Sequence, residues 1–213
     1  MSAIDLDGFR ATPLSRDPYD FLIIPGFLKA GALAAIDADF PAIPRPGSYP
    51  VGELDFGPAF AALIQELLAP EIERAFAEKF SLDLTGRPRT ITVRGQCRDK
   101  DGKIHTDTKS KIITVLIYMN LHWEADGGRL RVLRSPHDLE DFAAEVRPEA
   151  GTLLAFRRSD RSYHGHPSFV GQRRSIQLNW VTSEAVARRE AARHSLSAWF
   201  KRLNPFASAT AAM

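Results

Sequence analysis

The chain has 213 residues, 44% of them hydrophobic and 25% charged, with 14 Gly and 14 Pro, the profile of one globular domain rather than of a disordered or fibrous chain. Its 28 basic against 26 acidic residues give a formal net charge of +2, without the basic excess of a nucleic-acid binder. A single cysteine, Cys97, excludes an intramolecular disulfide and a cysteine-built zinc site. No apolar run approaches the roughly 18–20 residues of a membrane span. The first ten residues carry Asp5, Asp7 and Arg10 and lack the apolar stretch of a secretory signal, so a reducing, cytoplasmic setting is expected.

Phe21-Leu22-Ile23-Ile24 reads as a short strand stopped at Pro25-Gly26. Ala30–Phe40 has Leu33, Ile36, Asp37 and Phe40 at helical spacing. After a loop with Pro41, Pro44, Pro46 and Pro50, helices are predicted over Pro58–Leu68 and Glu71–Phe80. From Arg89 the period changes to two. Thr90–Val93 alternates as a strand, and Ile112–Leu121 is a longer β-rich run. Glu124-Ala125-Asp126-Gly127-Gly128 reads as a turn, its Asp126-Gly127 pair a hairpin signal, with Leu130–Leu133 as the return strand. Asp138–Ala144 reads as one or two helical turns, and Gly151–Phe156 and Arg173–Val181 as further strands. Glu184–Phe200 returns to helix, with a basic side (Arg188, Arg189, Arg193, Lys201, Arg202) and an apolar one (Leu196, Trp199, Phe200, Leu203). Short strands flanked by helices argue for a β-sandwich or jelly roll.

The chemistry concentrates in His105-Thr106-Asp107. Two residues apart on extended backbone, His105 and Asp107 point to the same side and can share a metal. With His164 they would complete a set of two imidazoles and one carboxylate on one face of an octahedral ion, leaving three positions open. His166 has the same parity as His164, but the aromatic-His-Gly context of Tyr163-His164-Gly165 favours His164. An arginine one strand later can fork onto a carboxylate. Arg173, Ser175, Gln177 and Asn179 form a polar face, and Arg174, Ile176, Leu178 and Trp180 an apolar one. A cavity suits the polar face, so Arg173 is preferred to Arg174.

Residues 89–182 closely resemble the Fe(II)- and 2-oxoglutarate-dependent oxygenases, in particular the prolyl 4-hydroxylase-like branch. The resemblance is carried by His105-Thr106-Asp107, Tyr118-Met119-Asn120, Gly127-Gly128-Arg129-Leu130, His164 and Gly171-Gln172-Arg173, in that order. It implies a double-stranded β-helix (jelly roll), mainly β, with N-terminal helices packed on one sheet and a C-terminal helix. On that reading residues 1–88 are a helical support region of the same domain, 89–182 the catalytic core, and 183–213 a C-terminal helix and frayed tail. It further implies that His105, Asp107 and His164 bind Fe(II), while Arg173 and Tyr118 hold the distal carboxylate of 2-oxoglutarate. Dioxygen would be the oxidant and ascorbate a reductant. The implied reaction hydroxylates a C–H bond as 2-oxoglutarate is decarboxylated to succinate.

The implied substrate is a prolyl or other side chain of a peptide or protein. The alternatives are a free amino acid or small metabolite, and a metal-holding binding module without turnover. No nucleic-acid partner is expected. One departure stands out: some prolyl hydroxylases carry a Tyr on the strand before His-x-Asp, where this chain has Val93-Arg94-Gly95-Gln96-Cys97-Arg98, and Gln96 or Cys97 is expected to replace it. His122, His137 and His194 read as surface or satisfied residues, and Arg129, Arg131 and Arg134 as a solvated face. The Arg157–Arg161 loop, Lys109 and Lys111 are candidates for the rim of the site, and Arg98–Lys103 for a mobile loop beside it.

Overall fold

The structure, a computed structural model, describes residues 2–192. Four helices are interleaved with the first two strands: α1 (Leu6–Ala11), α2 (Ala30–Ala38), α3 (Pro58–Leu67) and α4 (Pro70–Phe80). Pro58 and Pro70 stand in the first turns of α3 and α4, where a missing N–H costs nothing. α1 has no strong apolar periodicity; the Asp5 carboxylate caps it by accepting from the Gly8 amide at 3.0 Å.

The strands are β1 (Phe21–Ile24), β2 (Tyr49–Pro50), β3 (Arg89–Cys97), β4 (Lys111–Tyr118), β5 (Leu130–Leu133), β6 (Phe142–Val146), β7 (Leu153–Arg157), β8 (His164–Gly165) and β9 (Gly171–Val181). They form a six-stranded sheet in the order β1-β7-β4-β9-β3-β2 and a three-stranded sheet in the order β6-β5-β8. All strand pairs are antiparallel. Two facing antiparallel sheets with crossing connections are the jelly-roll plan.

Period-two patterning decides what each face of the large sheet meets. Ile113, Val115 and Ile117 of β4, with Ile176, Leu178 and Trp180 of β9, enter the core shared with the helices. Trp180 packs on Phe76 of α4 at 4.9 Å between ring centroids, and Phe76 on Phe9 of α1 at 4.5 Å. The opposite face splits in two. Leu116, Tyr118, Leu154 and Phe156 join Leu130, Val132 and Val146 in a second core between the sheets. Thr114, Arg173, Ser175, Gln177 and Asn179 line an open cavity instead.

Two expectations are corrected. Phe142–Val146 is a strand, not a helical turn: it pairs along β5, from Leu130↔Val146 to Leu133↔Phe142, and that ladder overrides the local helical preference of its Ala and Glu residues. The Asp126-Gly127-Gly128 turn does not close a β4–β5 hairpin. β4 pairs with β7 and β9, β5 with β6 and β8, so the segment crosses from one sheet to the other. Residues 184–192 are helical, as expected for the start of the C-terminal helix; the rest of that expected helix and the tail lie outside the described residues. Among the described residues, no helix is long and apolar enough to cross a membrane.

Candidate metal centre

His105 and His164, far apart in sequence, are paired directly by backbone. The His105 amide donates to the His164 carbonyl at 3.1 Å, and the reverse bond measures 3.0 Å. This isolated bridge sets the imidazoles side by side, 4.3 Å between ring centroids. Asp107 returns to the same side after Thr106. One donor atom from each of His105, Asp107 and His164 lies within 4.8 Å of the others, close enough for one ion to collect all three with small side-chain adjustments.

The surroundings orient these ligands. His105 Nδ1 donates to the Lys103 carbonyl at 2.7 Å and His164 Nδ1 to the Ser162 carbonyl at 3.0 Å. A carbonyl only accepts, so each Nε2 keeps its lone pair for a metal. Burial, opposed by the nearby Asp107 charge, pulls His164 down to about 4, so its imidazole is neutral at physiological pH. For Asp107, burial alone would raise the pKa. Lys111, His164 and the Thr114 hydroxyl outweigh it and hold the carboxyl down to about 2. Lys111 Nζ lies 2.9 Å from Oδ1, and Thr114 Oγ1 donates to Oδ2 at 2.5 Å. Two imidazoles, each with Nδ1 engaged by a carbonyl, and one ionised carboxylate fit a divalent iron site.

The triad opens onto a cavity of about 250 Å³ between the sheets. Arg173 also lines it and is 6% exposed. Arg173 Nε donates to the Gly128 carbonyl at 2.8 Å. Gly128 has φ +75, and a Cβ there would lie 2.6 Å from the Trp123 ring, so this approach requires glycine. Asn120 pins the start of the same strand: its Oδ1 accepts from the Arg174 amide at 2.8 Å, and its Nδ2 donates to the Arg174 and Pro148 carbonyls. The Gly-Gly and Asn elements of the sequence pattern thus position Arg173. Arg174 points the other way, ion-paired with Asp37 of α2, its guanidinium carbon 4.4 Å from the Phe40 ring centroid.

Among the described residues, three buried polar atoms here have no hydrogen-bond partner: Arg173 Nη2, the Tyr118 hydroxyl and the Ser175 hydroxyl. Tyr118 and Ser175 are directly paired across β4 and β9, and the Arg173 guanidinium carbon lies 5.3 Å from the Tyr118 ring centroid. Burial raises the Tyr118 phenol, against the pull of Arg173, so it stays protonated and able to donate. Unpaired donors next to a buried guanidinium are the chemistry of a carboxylate site.

The structure corrects several finer expectations. His166, the rival of His164, is buried and lines the cavity outside the triad; its amide donates to the Gly102 carbonyl at 2.8 Å. On β3 it is Thr92 and Arg94 that reach the cavity, while Gln96 and Cys97 do not line it. Arg158 does not stand free at a rim: its Nε donates to the Asp107 carbonyl at 3.1 Å, bracing the metal loop. Arg129 and Arg131 are ion-paired with Glu145, and Arg131 also with Glu140. Lys111 lines the cavity and Lys109 does not. In the Arg98–Lys103 segment, Arg98 is tied to Asp101 at 3.0 Å. His122 and His137 are exposed; His194 lies outside the described residues. The cavity is also lined by Glu190 of the terminal helical stretch, which accepts from Thr90 at 3.4 Å.

Fold and donor set together give a jelly roll with a two-histidine, one-carboxylate cluster beside a cavity lined by a buried arginine. Residues 95–182 match the family model of the 2OG-Fe(II) oxygenase superfamily. That match spans strands and loops carrying His105, Asp107, His164 and Arg173, and the donor set found here fits the iron(II) and 2-oxoglutarate of that superfamily. The fold is similar to a prolyl-4-hydroxylase from Pseudomonas putida (17% identity, TM-score 0.51, covering 83% of this chain and 90% of that one). It is similar too to prolyl 4-hydroxylases from Phytophthora capsici (16%, TM-score 0.55, 96% and 76%). HygX from Streptomyces hygroscopicus, solved with nickel and 2-oxoglutarate bound, gives 14% identity and a TM-score of 0.52, covering 77% and 83%. At these identities the likenesses concern the fold alone. No curated protein matches the sequence.

Proposed function

We propose that the protein hydroxylates a C–H bond of a prolyl or other side chain in a peptide or protein. In this reaction substrate, dioxygen and 2-oxoglutarate give the alcohol, succinate and carbon dioxide, one atom of dioxygen entering each of the first two products. Iron(II) and 2-oxoglutarate, when bound, supply the oxidising chemistry. The residues supply binding and orientation. His105, Asp107 and His164 hold the metal from one side. Arg173 forks onto the distal carboxylate of the co-substrate, and Tyr118 donates its phenolic proton to the same group. Lys111 and Thr114 keep Asp107 ionised and aimed. Gly128 and Asn120 keep Arg173 aimed.

The observation that carries this reading is the convergence, in and around one cavity, of the triad with Arg173 and three buried atoms lacking partners. The substrate class is supported by the prolyl 4-hydroxylase neighbours and by the cavity, whose ~250 Å³ is below the ~300–1,000 Å³ of most ligand pockets and suits one side chain beside the co-substrate. The test is turnover on a prolyl-peptide library with Fe(II), 2-oxoglutarate and ascorbate. We expect succinate in step with a product 16 Da heavier, and neither with Asp107→Ala. Succinate without any hydroxylated peptide would move the substrate to a free amino acid or small metabolite.

A further inference from the structure

Among the described residues lining the cavity, Arg94 is the cation that the hydroxylase reading leaves unassigned. It stands at a bulge, where the β3–β9 register shifts between Arg94 and Gln96. The adjacent Gly95 lies so close to Ile43 that a Cβ would come within 2.5 Å of the Ile43 carbonyl oxygen. Arg94 itself is in register opposite Ser175 and, with Thr92 two residues earlier, faces the cavity by ordinary strand alternation; the bulge follows it.

Arg94 Nε donates to the Ser48 hydroxyl at 2.7 Å. Both terminal nitrogens remain available, and among the described residues no carboxylate lies within ion-pair distance of this guanidinium. The charges around it are known. Asp101 favours its cationic form, but that carboxylate is already held by the Arg98 side chain and backbone, each at 3.0 Å. Arg98 and Arg173 oppose it, and burial opposes it most. A half-buried guanidinium near a second one, with no counter-ion of its own, is costly unless an anion completes it.

The co-substrate does not supply that anion. Arg173, Tyr118 and Ser175 already offer donors for one carboxylate. Arg94 lies one strand further from β4 than β9 does, with Ser175 opposite it and Ser48 beyond, toward the β2 edge. The metal ligands, Arg173 and Arg94 are therefore successive stations along one small cavity.

We propose that Arg94, braced by Ser48, determines substrate specificity by binding a carboxylate that lies a few bonds from the hydroxylated carbon. This rests on the hydroxylase reading and narrows its substrate class. A free amino acid or an acidic residue of a peptide presents the same chemistry.

The test uses the full chain with Fe(II), 2-oxoglutarate and ascorbate. One arm compares free L-amino acids with their amides. The other compares capped prolyl tetrapeptides carrying Asp or Asn beside the proline. The readouts are succinate and the 16 Da product, with the 2-oxoglutarate dissociation constant measured anaerobically. We expect at least one acid to exceed its amide by about tenfold or more in kcat/KM. Arg94→Gln should bring that ratio close to one while shifting 2-oxoglutarate affinity less than about threefold, and Arg94→Lys should retain part of the ratio. Whichever arm shows the effect identifies the source of the carboxylate. The proposal is overturned if acids and amides perform alike, if no acid accelerates succinate formation, or if Arg94→Gln weakens 2-oxoglutarate as much as Arg173→Gln. Absence of 2-oxoglutarate binding in the wild-type protein would instead overturn the hydroxylase reading itself.

Discussion

Two neighbouring arginines divide the labour of β9. Arg173 is buried toward the cavity, and Arg174 ties the sheet to α2 through Asp37 and Phe40. Removing each should therefore fail differently. Arg173→Gln should weaken 2-oxoglutarate binding by roughly 30-fold or more, about 2 kcal/mol or above for a lost charge-assisted pair, with little change in melting temperature. Arg174→Gln should cost about 1–2 kcal/mol of stability and leave co-substrate affinity alone. Calorimetry and anaerobic titration of both variants check this, and the opposite pattern would exchange their roles. This division was legible in the sequence because strand parity separates a polar from an apolar face. Arg94 and His166 were not legible, for physical reasons. Arg94 follows the alternation of Thr92, but that its face lines a cavity depends on its pairing with β9, which brings Ser175 and Gln177 beside it, and the burial of His166 depends on Gly102, brought over it from another segment.

Among the elements, the longest strands and helices were readable because their periodicity is sustained. β5 was predicted to the residue, and α3 and α4 to within one. The failures have a common cause in pairing. Phe142–Val146 lacks a strong pattern of its own and becomes a strand by pairing along β5. The Gly127-Gly128 segment has hairpin composition, yet its glycines serve close approaches to Ser168, Trp123 and the Arg173 side chain. α1 is too short to register. The bulge in β3 yields a prediction at this scale. Gly95→Ala must push against Ile43 backbone as well as side chain, so it should destabilise the fold by about 1–3 kcal/mol. If its denaturation midpoint matches wild type, β3 has more room beside Ile43 than the close approach implies. Phe76→Ala, at the seam between α1, α4 and Trp180, should cost about 3–5 kcal/mol in the same measurement.

Over the whole molecule, the helices bury one face of the large sheet, leaving the other to be shared between an apolar core and the metal cavity. The site is thus built on strands rather than on loops alone, and His164 and His166 are buried with it while His105 stands at its exposed side. Burial holds both His164 and His166 at about 4, against 6.5 in an exposed chain. Between those values the unfolded chain takes up protons that the folded one refuses. Stability of the metal-free protein is therefore full above about pH 6.5 and falls as the pH drops toward 4. At ~1.4 kcal/mol per unit per group, denaturation at pH 5 should give about 2–4 kcal/mol less than at pH 7.5. Asp107, held near 2, adds its own loss only below this window. His166→Gln should remove about half of the slope; an unchanged slope would mean that His166 is not held neutral by burial.

The central claim is that His105, Asp107, His164 and Arg173 form one site for iron(II) and 2-oxoglutarate together. Anaerobic visible spectroscopy tests it most directly. Fe(II) followed by 2-oxoglutarate should produce the weak charge-transfer band of the chelate. The band should be lost in His164→Ala and should require at least about 30-fold more 2-oxoglutarate in Arg173→Ala. Wild-type protein that binds Fe(II) yet gives no band, or an Arg173→Ala titration that overlays wild type, would contradict the account.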